Sequence, residues 1–164
     1  MKIEPDHEDI HKAAKDGDTD EVAALLSMDN RLTRTHDGDG WTPLHLAAHY
    51  GHADVVSLLL HNNAPVDIRS TNQMANTPLH AALAGRRGDA AKMLIDAGAD
   101  VNARQHGGWA PLHSAAANGD REMVDLLIAR GADSAAVNDA GVSVAAIARD
   151  RGHAALADDL DRRA

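Results

Sequence analysis

The 164-residue chain sets 16 Lys and Arg against 25 Asp and Glu, a formal net charge of −9, which does not suit the phosphates of DNA or RNA. Aromatic residues make up 2% of it and Phe is absent, so Leu, Val, Ile, Met and many Ala must build the core, a composition that favours close helix-to-helix packing. The absence of cysteine excludes disulfides and thiolate zinc sites, and no run approaches the roughly 18 apolar residues that span a bilayer.

The chain opens on Met1–Lys15, charged throughout and without an apolar stretch of signal-peptide length, which makes a cytoplasmic protein the expectation. From Ile10 to Arg34 runs a helical pattern, with Ala13, Ala14, Gly17, Val22, Leu25 and Leu26 in register with three aligned units further along the chain. The signatures of those units are Gly40-Trp-Thr-Pro-Leu-His45, Ala75-Asn-Thr-Pro-Leu-His80 and Gly108-Trp-Ala-Pro-Leu-His113. Leu44 to Leu79 is 35 residues and Leu79 to Leu112 is 33. Each signature leads into small residues, then a second apolar stretch such as Val55–Leu60, then a turn such as Ala97-Gly98-Ala99-Asp100. Val142–Leu160 repeats the pattern more loosely, with Ser143, Ala148, Gly152, His153 and Leu156 in register.

The residue types fit two short helices per unit. Thr42 and Thr77 are helix N-caps, and Pro43, Pro78 and Pro111 suit the first helical position, where no N–H is needed. Gly51, Gly119 and Gly152 stand where the first helix must stop; Gly98 and Gly131 do so after the second, with Asn63 as substitute. No helix pair has enough apolar surface to stand alone, so stability must come from stacking.

In period and in nearly every position these units resemble the ankyrin repeat, whose signature is Thr-Pro-Leu-His. The resemblance covers roughly residues 6–164. It implies an all-α repeat solenoid of stacked helix-turn-helix repeats joined by projecting β-hairpin-like loops. As one domain it would comprise an N-terminal capping repeat (6–37), full repeats over 38–72, 73–106 and 107–139, and a C-terminal capping repeat (140–164). It also implies that His45, His80 and His113 tie turn backbone between neighbouring repeats. In the last repeat, Asp158, Asp159 and Asp161 take apolar positions and are expected to end the stack in solvent, so truncating Leu160 should cost less than truncating Leu94. Three departures stand out. The loop Asp67–Thr77 is two residues longer than Asn102–Ala110, Arg86 stands in the register of Gly51 so that its helix should end early at Gly85, and Ala110 replaces a capping Thr.

Acidity concentrates at the N-terminal end: residues 1–37 hold 5 basic and 10 acidic side chains, a net of −5. A solvated end cap accounts for this, and so does a surface attractive to a basic partner. Of the 11 histidines, His45, His80, His113, His52 and His153 fall on recurring positions. His7 with His11 and His49 with His52 could each present two ring nitrogens on one helical face, but neither pair has a third ligand in sequence, so no metal is expected. With no phosphate loop, nucleophile elbow or His-Glu-x-x-His motif, neither an enzyme nor a cofactor is expected.

The family resemblance instead implies binding to another protein through the hairpin tips and a concave helix face. The candidate residues are Gly38, Asp39, Trp41, His49, Tyr50, Gln73, Met74, Asn76, His106, Trp109 and Asn118, which that resemblance makes exposed and which vary between repeats. Trp41 and Trp109 share one register position two repeats apart; with Tyr50 they are either binding anchors or packing against hairpins. Leu44, Ala47, Ala48 and Val55–Leu60 already fill the core positions of that repeat. Two roles fit, a scaffold or adaptor and a dedicated inhibitor, immunity or accessory protein of one enzyme. Neither nucleic acid nor membrane is an expected partner. Polar capping repeats should also prevent end-to-end stacking, so light scattering is expected to give a concentration-independent monomer mass near 17.3 kDa, and a stable dimer would contradict the capping argument.

Overall fold

A computed structural model describes residues 7–164. Asp6, the expected start of the first repeat, lies outside them. Among the described residues the chain is all-α, with ten α-helices and a single isolated β-bridge between Val137 and Ser143. It forms two compact units, Met1–Ala99 and Asp100–Ala164.

The first unit contains α1 (His7–Asp16), α2 (Thr19–Met28), α3 (Pro43–Tyr50), α4 (Ala53–His61), α5 (Pro78–Ala84) and α6 (Gly88–Asp96). The helices pair as α1·α2, α3·α4 and α5·α6; the first helices stack as α1·α3·α5 and the second helices as α2·α4·α6. Ala13, Ala14, Ala47, Ala48, Ala81 and Ala82 are buried, and these small side chains let the first helices approach closely. Fully buried Ile10, Leu44, Leu59, Leu79 and Leu94 fill the layer between first and second helices.

The second unit contains α7 (Pro111–Asn118), α8 (Arg121–Ala129), α9 (Val144–Asp150) and α10 (Ala154–Arg163), with α7 packed on α8 and α9, and α9 on α10. The acidic residues of its last helix do more than meet solvent. Asp159 pairs with Arg121 of α8 and with Arg162 and Arg163, while Asp158 and Asp161 both pair with Arg149 of α9. Each exposed pair is worth little alone, but together they fix α10 against α8 and α9. Leu160 is fully buried, which overturns the expectation that its truncation is the cheaper one.

Helices α3, α5 and α7 start at variants of one device. Thr42 Oγ1 caps the backbone N–H of His45 at 3.4 Å, and the imidazole Nδ1 of His45 faces the Thr42 N–H at 3.3 Å and its hydroxyl at 2.8 Å. The other ring nitrogen, Nε2, donates to the carbonyl of Asn76 in the next hairpin at 2.9 Å. A carbonyl accepts only, so the proton sits on Nε2 and Nδ1 is the acceptor. Thr77 and His80 repeat the box, with Nδ1 at 2.9 Å from the Thr77 hydroxyl. At Ala110 the hydroxyl is missing. His113 Nδ1 still accepts the Ala110 N–H at 3.1 Å, while the backbone N–H of His113 turns to the Ala110 carbonyl.

The ends of the first helices explain the Arg86 departure. α5 stops at Ala84, one residue short of its counterpart α3, and Arg86 rather than a glycine carries the left-handed φ of 55°. Gly85 is needed for space: a Cβ there would overlap the carbonyl oxygen of His49 on the preceding helix. One residue beyond the left-handed position, a side chain closes the same gap in successive repeats, since His52 Nε2 donates to the Lys15 carbonyl and Arg87 Nε to the His49 carbonyl.

Burial makes the core and the histidines testable. Leu94→Ala and Leu160→Ala should each cost about 2–5 kcal/mol in denaturant titration, since both side chains are fully enclosed. Acid sensitivity should come from histidine. Burial pushes His45 down to about 4, although its bond to the Asn76 carbonyl works the other way, and burial also lowers His113. A second ring proton would point Nδ1–H at the Thr42 N–H. The unfolded imidazole titrates near 6.5, so below that pH the unfolded chain binds a proton that the folded chain refuses. Stability should therefore fall between pH 6.5 and about 4, by on the order of 3 kcal/mol for His45, before carboxylates contribute. A urea midpoint that stays flat across that window would contradict this.

Candidate partner-binding surface

The hairpin before α3 is shaped by an aspartate. Asp37 Oδ1 accepts the N–H groups of Asp39 at 3.0 Å and Trp41 at 2.8 Å, while the Asp37 N–H donates to the Trp41 carbonyl. Asn138 repeats this pattern in the second unit, holding the N–H groups of Ala140 and Val142. Such side-chain turns present the tip residues outward. Gly38 and Asp39 are accordingly exposed.

Trp41 is half-buried and lies along α3. Its ring meets His45 edge-on with centroids 5.7 Å apart and His49 at 5.5 Å; His49 in turn meets Tyr50 at 5.1 Å. The i, i+4 spacing of His45 and His49 puts both imidazoles on one helical stripe, and Trp41 covers that stripe from the hairpin. His49 is held from behind by its Nδ1 at 3.1 Å from the Ala81 carbonyl of α5. Tyr50 remains 40% exposed. Trp41 is thus both packing and surface, and the expectation that its repeat does not need it is corrected: it shields the imidazole that forms the capping box.

These residues surround a pocket of about 300 Å³ lined by Lys15, Asp37, Asp39, Trp41, Leu46, His49 and Tyr50. The structure therefore brings together four of the expected residues, Asp39, Trp41, His49 and Tyr50. Lys15, Asp37 and Leu46 escaped sequence reasoning. Lys15 stands two residues before Gly17 as His49 stands two before Gly51, and that register marked it as a surface neighbour. Its ammonium lies 5.7 Å from the centroid of the Tyr50 ring.

The remaining expected residues lie elsewhere. Gln73 and Met74 are exposed at the tip of the longer hairpin, where Asn72 Oδ1 holds the Met74 N–H and Ala75 adopts a left-handed φ of 46°. Asn76 is buried, with 6% of its surface exposed, because its N–H donates to Ser70 Oγ and its carbonyl takes the His45 proton; this corrects its expected exposure. In the second unit, His106 is exposed in the short 3-10 turn His106–Gly108, Asn118 is half-buried at the end of α7, and half-buried Trp109 leans on His113 at 5.7 Å.

Among the described residues no three His, Asp or Glu side chains cluster as metal ligands would, and no helix is long and apolar enough to cross a membrane. Three of the histidines that could have paired on a metal, His11, His49 and His52, are engaged with backbone carbonyls. Both ring nitrogens of His11 face carbonyls, those of His7 and Thr35, and His52 is held by Lys15.

Comparison with known proteins agrees with the geometry. A family model described as ankyrin repeats, three copies, matches residues 10–105 and 64–139. The SMC5-SMC6 complex localization factor protein 1 of Bos taurus is 34% identical over 96 residues, which is 58% of this chain and 9% of that protein. A transient receptor potential cation channel subfamily A member 1 homolog of Caenorhabditis elegans is 40% identical over 73 residues, 44% of this chain and 6% of the channel. The E3 ubiquitin-protein ligase XB3 of Oryza sativa subsp. japonica is 36% identical over 97 residues, 58% of this chain and 21% of the ligase. In each case the match spans a small fraction of the relative's own length. Paired short helices, hairpins closed on Asx turns, threonine–histidine capping boxes and the family match converge, and the chain belongs to the ankyrin-repeat family.

Proposed function

We propose that this chain is a protein-binding module that engages its partner through the hairpin tips and the exposed edge of the first helices, as a scaffold or adaptor. Ankyrin repeats are in general protein–protein interaction modules. The reading takes the chain as five repeats, over residues 6–37, 38–72, 73–106, 107–139 and 140–164, acting as a monomer. The observation that carries it is the Trp41–His49–Tyr50 array, a partly exposed aromatic surface in a chain with 2% aromatic residues. Aromatic side chains that are rigidly held and partly open make effective interface anchors, because little rotamer freedom remains to be lost on binding. The His49 ring is held by the Ala81 carbonyl, and Asp37 fixes the Trp41 backbone while its indole packs on His45 and His49, so the array is largely preformed. Similar repeats occur as small parts of a channel, a ubiquitin ligase and a complex localization factor, which supports a role separable from any one chemistry. Gly38, Asp39, Gln73 and Met74 would extend the contact along the tips of the first unit; His106, Trp109 and Asn118 offer a second set of contacts in the other unit.

Tyr50→Ala should weaken partner capture at least several-fold, with the thermal midpoint nearly unchanged, since truncating an interface hot spot commonly costs ~2 kcal/mol or more. Trp41→Ala should weaken capture too, and should also lower stability by about 1 kcal/mol through lost packing on His45. His61→Ala, on the exposed side of α4, should leave capture intact. Normal capture by folded Trp41 and Tyr50 variants, measured by quantitative mass spectrometry of native pull-downs, would place the interface elsewhere.

A further inference from the structure

We propose that the Trp41–Tyr50 pocket takes the guanidinium of an arginine side chain on a basic segment of the partner, a reading that rests on the partner-binding surface proposed above. Three independent features of the pocket point to a cation. Its walls are aromatic: the rings of Trp41, His49 and Tyr50 stand edge to face, and ring faces attract positive charge. Its rim carries two carboxylates. Asp37 is fixed there by the N–H groups of Asp39 and Trp41 on Oδ1, and the Asp39 carboxylate, exposed at the hairpin tip, takes no hydrogen bond from the described residues. The chain already holds one cation there, with the Lys15 ammonium over the Tyr50 ring.

Size and field narrow the class. A volume of about 300 Å³ lies at the small end of ligand pockets, roughly 300–1,000 Å³, and suits one long side chain rather than a cofactor. The net charge of −5 over residues 1–37 and −2 over 38–72 draws basic segments towards this end of the chain and repels acidic ones. Arginine fits better than lysine. A planar guanidinium can stack on Tyr50 or Trp41 and still direct its N–H fork at Asp39 or Asp37, whereas an ammonium is a compact point charge that does not match both partners in one plane. Leu46, a largely buried residue of the lining, adds an apolar wall for the methylene stem to lie against.

Lys15 occupies the position that such a ligand would enter, so ligand and Lys15 should compete. This turns an ordinary binding surface into one with a built-in tuning residue: removing Lys15 should improve binding.

The test is a titration at fixed ionic strength of the intact, isotopically labelled chain with three tripeptide amides: acetyl-Gly-Arg-Gly, its lysine counterpart, and its citrulline counterpart, which keeps the shape and loses the charge. The arginine peptide should shift the Trp41 indole and Tyr50 ring signals saturably in the millimolar range, the lysine peptide several-fold more weakly, and the citrulline peptide not at all. Asp39→Asn and Tyr50→Ala should each weaken the arginine response by about three- to ten-fold. Lys15→Met should tighten it about two- to five-fold. Equal responses to arginine and citrulline would overturn the assignment, as would an arginine response indifferent to Asp39 or a weaker one in Lys15→Met. If those failures accompany Tyr50-dependent partner capture, the partner surface stands and only the arginine is wrong. Arginine-specific binding beside Tyr50-independent capture would overturn the partner surface instead.

Discussion

A buried imidazole with one proton and two fixed partners, that of His45, ties the start of α3 to the next hairpin. His45 has no exposed surface, so its ring nitrogens must both be satisfied within the protein. Nδ1 closes the start of its own helix on Thr42, and Nε2 reaches the Asn76 carbonyl of the next hairpin. One side chain thereby sets where a helix begins and how the next loop sits on it. Because only the neutral Nε2–H form satisfies both sides, the device also ties stability to pH. The hairpins depend on the same contact. The Asn76 carbonyl is available to His45 because the Ser70 N–H and the Asn76 carbonyl close the loop, and Thr71 then donates to the Gly40 carbonyl of the preceding hairpin.

The surface chemistry is built on that contact as well. Trp41 lies over the capping imidazole, so a residue that protects a structural contact also forms one wall of the candidate pocket. His49 is held by α5 and Asp37 by the hairpin's own backbone, which leaves Tyr50 and Asp39 as the most exposed contributors. Preorganisation of this kind lowers the ordering cost of binding and makes the chemistry of the walls, aromatic and acidic, the determinant of what is bound.

Much of the fold was legible because short-range rules and long-range packing agree in this chain. Pro at the first helical position, a small residue one turn on and a left-handed residue at the end specify the same helix in three copies, with Thr before Pro in two of them. The family resemblance then supplied the hairpins, whose extended segments carry little periodicity of their own. The misreadings lie where sequence register does not give depth. Asn76 varies between repeats as surface residues do, yet its backbone is the acceptor that His45 needs, and it is buried. Leu160 sits in a helix rich in aspartate, but those aspartates find Arg121, Arg149, Arg162 and Arg163, and the leucine faces inward. Lys15 shares the register of His49, but its place beside Tyr50 depends on the stacking of α1 on α3, which register alone does not show.

The surface assignment is tested most directly by hydrogen exchange on the chain alone and in complex with its captured partner, read by mass spectrometry at peptide resolution. The account predicts added protection in the segments covering residues 37–41 and 46–50, with the second helices α4 and α6 unchanged. Protection confined to those second helices, with the Asp37–Trp41 hairpin and the end of α3 exchanging as in the free chain, would contradict it.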